Sequence, residues 1–256
     1  MSDPRALILV ALAGLFGGAV NAIAGGGSLL SFPALIAAGL PPLTANVTNT
    51  VAMLPGYVGA ALAQRDLLQG QRTRLASLLP LAALGGLVGG MLLLAGDARL
   101  FARLVPWLLL VGSLLLAIQD PLGAWLRRRI RGGSGRDRSS GLLLAAPAVL
   151  LAAVYGGYFG AGLGVIVMAA LALTLEDSLT RLNGLKQTIS LAANLAPALL
   201  FLIASPLERS AALVLALGAL VGGAIGGRLA SRLDPARLRL AVVLIGLVMA
   251  VVYFGR

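Results

Sequence analysis

The stretch NAIAGGGSLLSFPALIAAG, Asn21 to Gly39, decides the fold. It lies in a long apolar run, yet Gly25, Gly26 and Gly27 interrupt it and Pro33 follows. A glycine in a helix interior costs about 1 kcal/mol relative to alanine, so three in succession break a helix. In hydrocarbon a broken helix leaves N–H and C=O groups without water, which is tolerated only where protein encloses the backbone or a cavity adjoins it. The run therefore reads as one helix, an interruption, and a short second helix from Ser28 to Gly39.

The rest of the chain supports a membrane setting. Of its 256 residues, 59% are hydrophobic and only 11% charged, against about 25% charged in a soluble domain. The apolar residues come in blocks near the roughly 20 residues that a spanning helix needs. Leu, Ala and Gly dominate, and the alternation of barrel strands is absent. The expected class is an all-α, polytopic integral membrane protein. The net charge is +11, nearly all from arginine, with Lys186 the single lysine. Arginines in cytoplasmic loops set topology. No basic surface with interleaved aromatics speaks for nucleic acid. There is no Cys and no His, which excludes disulfides and Cys/His metal sites. No cofactor and no metal is expected.

Shifted by 137 residues, the chain aligns with itself without a gap. Gly25 and Gly27 fall on Gly162 and Gly164, Asn46 on Asn183, GGLVGG at 85–90 on GGAIGG at 222–227, and Asp97 on Asp234. The chain holds only five Asn and seven Asp, so those matches carry the weight. Such self-similarity marks internal duplication. Arg5, an apolar run and Ala22 to Ala24 imitate a cleavable signal, but the segment takes part in the repeat and is expected to be retained.

Each half reads as five apolar segments, about 5–24, 28–39, 46–64, 75–95 and 100–118, then 142–161, 165–175, 183–204, 210–230 and 238–254. The second of each is too short to span: 12 residues reach about 18 Å, against a core of about 30 Å. The expected organisation is a first transmembrane repeat at 1–120, a basic cytoplasmic linker at 121–140, and a second repeat at 141–256. Working outward from the linker puts 15 of the 20 basic residues inside. It also gives the two repeats opposite orientations and leaves both termini periplasmic. Each repeat then has a broken, re-entrant helix hairpin plus three spanning helices.

Inverted repeats with discontinuous helices are the layout of secondary transporters, whose substrate binds near the midplane. The breaks Gly25-Gly26-Gly27 and Gly162-Leu163-Gly164 are expected to approach from opposite faces. Each starts a half-helix whose exposed N–H groups and dipole favour an anion. Ser28 adds a hydroxyl at an N-cap or first-turn position. The third segments open with TANVTNT, 44–50, and TRLNGLKQT, 180–188. These place Asn46 against Asn183, Asn49 against Lys186, and Thr50 against Gln187 on the repeat diagonal. The candidate substrate-binding groups are thus Asn21, Gly25, Gly26, Gly27 and Ser28 at the first break, Gly162 and Gly164 at the second, and Asn46, Asn49, Asn183, Lys186 and Gln187 on the third segments. Asn46 and Asn183 also read as simple helix caps. If Lys186 is desolvated it needs a counter-charge, and no acid lies near it in sequence; a substrate anion could supply one. The plainer reading is a lysine snorkelling at the boundary. The GGxxGG pairs read as close helix packing, and Asp97 and Asp234 as N-caps. Lys186 and Ser190 stand four apart without another catalytic group, so no catalytic residue is assigned.

The glycine break, the run RLNGLKQTISLAAN at 181–194 and the duplicated layout resemble the TauE/SafE sulfite-exporter family over essentially the whole chain. The resemblance implies a carrier in the bacterial inner membrane for a small sulfur-containing anion such as sulfite, sulfoacetate or another organosulfonate. Gly-Leu-Gly replaces Gly-Gly-Gly in the second break, which implies an asymmetric site. An anion leaving a negative-inside cell gains about 2.3 kcal/mol per charge per 100 mV, so the expectation is export that could proceed without a coupled ion. The expected partners are the anion and the lipid bilayer, with a homodimer left open. The alternatives are a permease for another small anionic or neutral solute, or a membrane subunit that does not transport.

Overall fold

The computed structural model describes residues 3–119, 121, 125, 138–229 and 235–255. Among them are ten α-helices and no strand. The expected linker at 121–140 and the expected cap Asp234 lie largely or wholly outside the described residues.

In the first half, α1 spans Pro4–Ile23, α2 Ser28–Ala37, α3 Pro42–Ala63, α4 Arg72–Ala95 and α5 Ala98–Ala117, with a 3-10 turn at Arg65–Leu68 between α3 and α4. In the second half, α6 spans Arg138–Tyr158, α7 Leu163–Thr174, α8 Leu179–Ala204, α9 Arg209–Leu229 and α10 Pro235–Phe254. Six of these (α1, α4, α5, α6, α8 and α9) are long and apolar enough to cross a membrane. This is a multi-pass membrane protein. At 22 residues α3 is also long enough, but Asn46, Thr48, Asn49 and Thr50 make it more polar than that set. The two short helices, α2 with 10 residues and α7 with 12, reach about 15 and 18 Å at 1.5 Å per residue.

Local chemistry sets the helix boundaries. Asp3 and Asp97 cap α1 and α5, accepting from the backbone N–H of Arg5 at 3.0 Å and of Arg99 at 2.7 Å, so Asp97 is the cap its sequence position suggests. The third helix of each half starts earlier than expected. Pro42 occupies the first turn of α3, and the Ser178 hydroxyl caps α8 by accepting from the N–H of Arg181 at 3.3 Å. Asn46 and Asn183 therefore lie inside their helices and are not caps. Ser28 is the first residue of α2, with Gly27 in the N-cap position and no side-chain capping bond.

Packing follows the repeat. The first helix of each half lies along the fourth helix of the other, α1 on α9 and α4 on α6. The GGxxGG glycines sit in these contacts. A Cβ on Gly222 would strike the backbone of Leu15, and one on Gly89 the backbone of Val154. Gly86 presses against Ala193 and Gly223 against Gly56, two pairs that coincide under the 137-residue shift. Small residues let the helix backbones meet where lipid offers no hydrophobic drive to associate. The outer surface carries large apolar side chains such as Ile203, Leu143, Leu151 and Val251.

Candidate functional site

Both interruptions are real. Gly25 and Gly26 adopt φ of 76° and 93°, and Gly160 and Gly162 both adopt φ of 81°. This region suits glycine and carries a steric penalty for other residues. The two breaks meet. A Cβ built on Gly25 would lie 3.3 Å from the Gly164 Cα, and one built on Gly164 3.2 Å from the Gly25 Cα. Gly112 of α5 backs the second break, 3.3 Å from where a Gly162 Cβ would stand, and Leu116 packs against Gly26. Among the described residues, no carbonyl accepts from the backbone N–H of Gly26, Gly27 and Ser28, or of Ala161, Gly162 and Gly164. These are the open donors of two half-helix N-termini, where the helix dipole is positive.

The carbonyl ends of the preceding helices are treated differently. Gln187 Nε2 donates to the carbonyls of Asn21 at 3.3 Å and Ala22 at 2.8 Å, at the end of α1. Asn46 Nδ2 donates to the carbonyl of Tyr158 at 3.0 Å, at the end of α6. Residues 21 and 158 are equivalent under the repeat. The donors stand on equivalent helices, one turn out of register. Each half therefore caps the broken helix of the other. Since the amide nitrogens are committed to carbonyls, the Gln187 Oε1 and Asn46 Oδ1 are left buried without a partner.

Lys186 is 2% exposed. Its stem runs along the start of α7, with Cδ and Cε 3.7 and 3.9 Å from the position of a Gly164 Cβ. No carboxylate pairs with it among the described residues. The boundary-snorkelling reading therefore does not describe it. Its repeat equivalent, Asn49, is neutral and accepts from the Ser31 hydroxyl at 2.5 Å. Lys186 thus lies against the second break, whereas its equivalent Asn49 is bonded to Ser31 in the first turn of α2.

Asn183 is the candidate that the structure sets apart. It is half-buried and donates to Gln64 Oε1 at 2.7 Å, towards the loop that follows α3. Asn21, Ser28, Asn46, Asn49, Lys186 and Gln187 are all buried beside the breaks. Three further buried groups, Ser31, Tyr57 and Asn194, do not stand out in the sequence, and Ser190, noted there only for its spacing from Lys186, is buried with them. Tyr57 stands beside the side chains of Asn21 and Asn194, and Tyr57 and Asn194 are repeat equivalents of each other. Helical spacing carries the signal. Asn46, Asn49, Met53 and Tyr57 form one stripe on α3, and Lys186, Ser190 and Asn194 form the matching stripe on α8. Arg239, at the start of the last apolar segment, is 6% exposed on α10.

Such a site offers backbone donors, one buried ammonium and neutral amides, with no histidine or cysteine. Among the described residues no three acidic groups stand together as metal ligands.

Comparison with known proteins agrees with this membrane architecture. The chain is 27% identical over 233 residues to a "Probable membrane transporter protein" of Haemophilus influenzae, covering 90% of this chain and 87% of that one. It is 25% identical over 254 residues to "Probable membrane transporter protein YfcA" of Escherichia coli K12, covering 98% and 90%. A third relative, "Probable membrane transporter protein ORF9" of a Sinorhizobium species, is 23% identical over 248 residues, covering 96% and 91%. The profile of the sulfite exporter TauE/SafE family matches residues 10–253. With two touching helix breaks built into a duplicated multi-pass bundle, and that match along nearly its whole length, the chain belongs to the TauE/SafE family of membrane transporters.

Proposed function

We propose that this protein is a secondary transporter that moves a small sulfur-containing anion, such as sulfite, sulfoacetate or another organosulfonate, out of the cell across the bacterial inner membrane. The observation that carries the reading is Lys186: a buried ammonium without a carboxylate partner, lying along the electropositive start of α7. A buried charge needs a counter-charge, and a substrate oxyanion supplies one while also accepting from the open N–H groups at the breaks. Gly25, Gly26, Gly27 and Ser28 form one wall of the site, and Gly162 and Gly164 the other. Asn49 and Asn21 give it neutral hydrogen-bonding groups, and Asn46 and Gln187 hold the helix ends in place.

The halves are taken to be inverted in the membrane, with the basic linker cytoplasmic and both termini periplasmic. The reciprocal packing of α1 on α9 and α4 on α6 supports this arrangement. Alternating access then moves one half against the other around the breaks. Export of an anion runs down the membrane potential and needs no coupled ion.

Thermal unfolding of the purified protein tests the site. Sulfite or sulfoacetate is expected to raise the Tm of the unsubstituted protein and to leave that of Lys186→Ala unmoved. An equal rise in both would place the site elsewhere. Transport in proteoliposomes that ignores membrane potential and follows a proton gradient would rule out uncoupled export.

A further inference from the structure

At one end of the molecule, the segment joining α3 to α4 is tied by charge to the segment joining α7 to α8. The Asp177 carboxylate receives Arg74 Nη1 at 2.5 Å and Arg181 Nε at 3.0 Å. Arg74 also donates to the Glu176 carbonyl at 3.3 Å and to Gln71 Oε1 at 3.1 Å. Arg181 Nη2 donates to the Gln69 carbonyl at 2.8 Å, and Gln71 Nε2 returns a bond to the Arg181 carbonyl at 3.3 Å. The Asn183–Gln64 bond extends the cluster inward, one turn short of Lys186. Every link but the Arg74–Gln71 and Asp177–Arg181 bonds joins one half of the chain to the other.

The repeat supplies an internal comparison. At the equivalent positions, Arg74 becomes Ala211, Asp177 becomes Leu40, Arg181 becomes Thr44 and Gln64 becomes Phe201. Leu40, Ala211 and Phe201 are all buried. The three charges of the cluster therefore have no charged counterpart at the equivalent positions, although Glu208, the equivalent of Gln71, bonds Ser210 and Thr48 there. The duplication makes this contrast informative, because the same backbone positions serve both ends.

We propose that the Arg74–Asp177–Arg181 cluster is an ionic latch that closes this end of the transport path, with Asp177 as the residue that holds it. The proposal rests on the transport reading for its meaning. Opening this end separates a carboxylate from two guanidinium groups and is sensitive to ionic strength, since salt screens partly exposed charges. Opening the other end separates Leu40 and Phe201 from apolar neighbours and breaks no carboxylate–guanidinium cluster of this kind.

The chain has no cysteine, so a single introduced thiol reports accessibility. Ser190 is 1% exposed, one turn beyond Lys186 on α8, and serine to cysteine is nearly isosteric. In purified Ser190→Cys protein, N-ethylmaleimide is expected to react slowly. Adding Asp177→Asn is expected to speed the reaction about tenfold, the equivalent of about 1.4 kcal/mol. Salt at about 1 M, where the screening length is about 3 Å, is expected to speed labelling while the carboxylate is present and to change little once Asp177→Asn has removed it. Arg74→Gln provides an independent opening, and Asp177→Glu is expected to restore slow labelling. Equal rates with and without the Asp177→Asn substitution in folded, monodisperse protein overturn the latch. If Asp177→Asn does not fold, equal rates in Arg74→Gln overturn it. Labelling needs no substrate: a change in rate with no anion-induced Tm shift keeps the latch and discards the anion reading.

Discussion

Gly25 and Gly164 stand so close that a methyl group on either would come 3.2–3.3 Å from the Cα of the other. They differ in backbone. Gly25 holds φ of 76°, whereas Gly164 is an ordinary residue of α7. Gly25→Ala adds a left-handed penalty of about 1–2 kcal/mol to the crowding, and Gly164→Ala adds crowding alone. Gly25→Ala is expected to lower the Tm further. Equal Tm values for the two variants would remove backbone strain from the account of the first break.

Lys186→Met keeps the stem along α7 and removes the charge. A buried charge without a partner is costly, so the variant is expected to unfold at a higher temperature than the unsubstituted protein in anion-free buffer. It is also expected to lose the stabilisation by sulfite. A lower Tm in anion-free buffer would mean that the ammonium has a stabilising partner.

Gln187 and Ser190 are both buried, but only the Gln187 side chain donates a hydrogen bond. Gln187→Leu strips the donor from two carbonyls at the end of α1, and a buried polar group left unsatisfied costs about 1–3 kcal/mol. Ser190→Ala removes a hydroxyl that has no partner and is expected to be neutral. Thermal unfolding of the two variants side by side checks the contrast, and a larger loss in Ser190→Ala would refute it.

Gly86→Leu and Gly223→Leu strike equivalent places in the two halves, against Ala193 and Gly56. Both are expected to abolish a monodisperse peak in size-exclusion chromatography. Leu143→Ala, on the outer surface at 77% exposure, is expected to leave the peak intact.

Asp177 is partly buried, which by itself raises a carboxyl pKa. Arg74, the Ser178 N–H and Arg181 outweigh that and hold it below its ordinary value of 3.8. A depressed carboxylate stabilises the fold above the unfolded value and loses that contribution as pH falls through the folded value. The maleimide rate in the Ser190→Cys protein is therefore expected to keep its Asp177 dependence unchanged between about pH 6 and 8. Latch opening is expected only below the ordinary carboxyl range. A loss of that dependence near neutral pH would show that another group holds this end.

The helices are legible because the chain is written in apolar blocks: most boundaries match the expected segments to within a few residues. The third helices start a turn before the sequence suggests, because Pro42 and Ser178 initiate them ahead of the polar stripe. Lys186 is legible as the single lysine, with no acid nearby in sequence. Asn183 looks equivalent to Asn46 on the diagonal, yet the glutamine in the neighbouring loop, Gln64, draws it outward. Ser31 is hidden because its partner Asn49 lies 18 residues away on another helix, and that register depends on tertiary packing. Arg239 is hidden because an arginine one turn inside α10 looks like any other topology-setting arginine.

The reciprocal packing of the halves has a consequence for biosynthesis. The face of α1 bearing Gly14 and Gly18 rests on Leu215 and Ala219, residues made roughly 190 positions after α1 ends. At about 5–20 residues per second, the ribosome needs about 10–40 s to deliver them. During that interval the bare glycine face must be covered by lipid or by the insertion machinery, so a nascent chain arrested before α9 exposes a seam that a stalled second half cannot close.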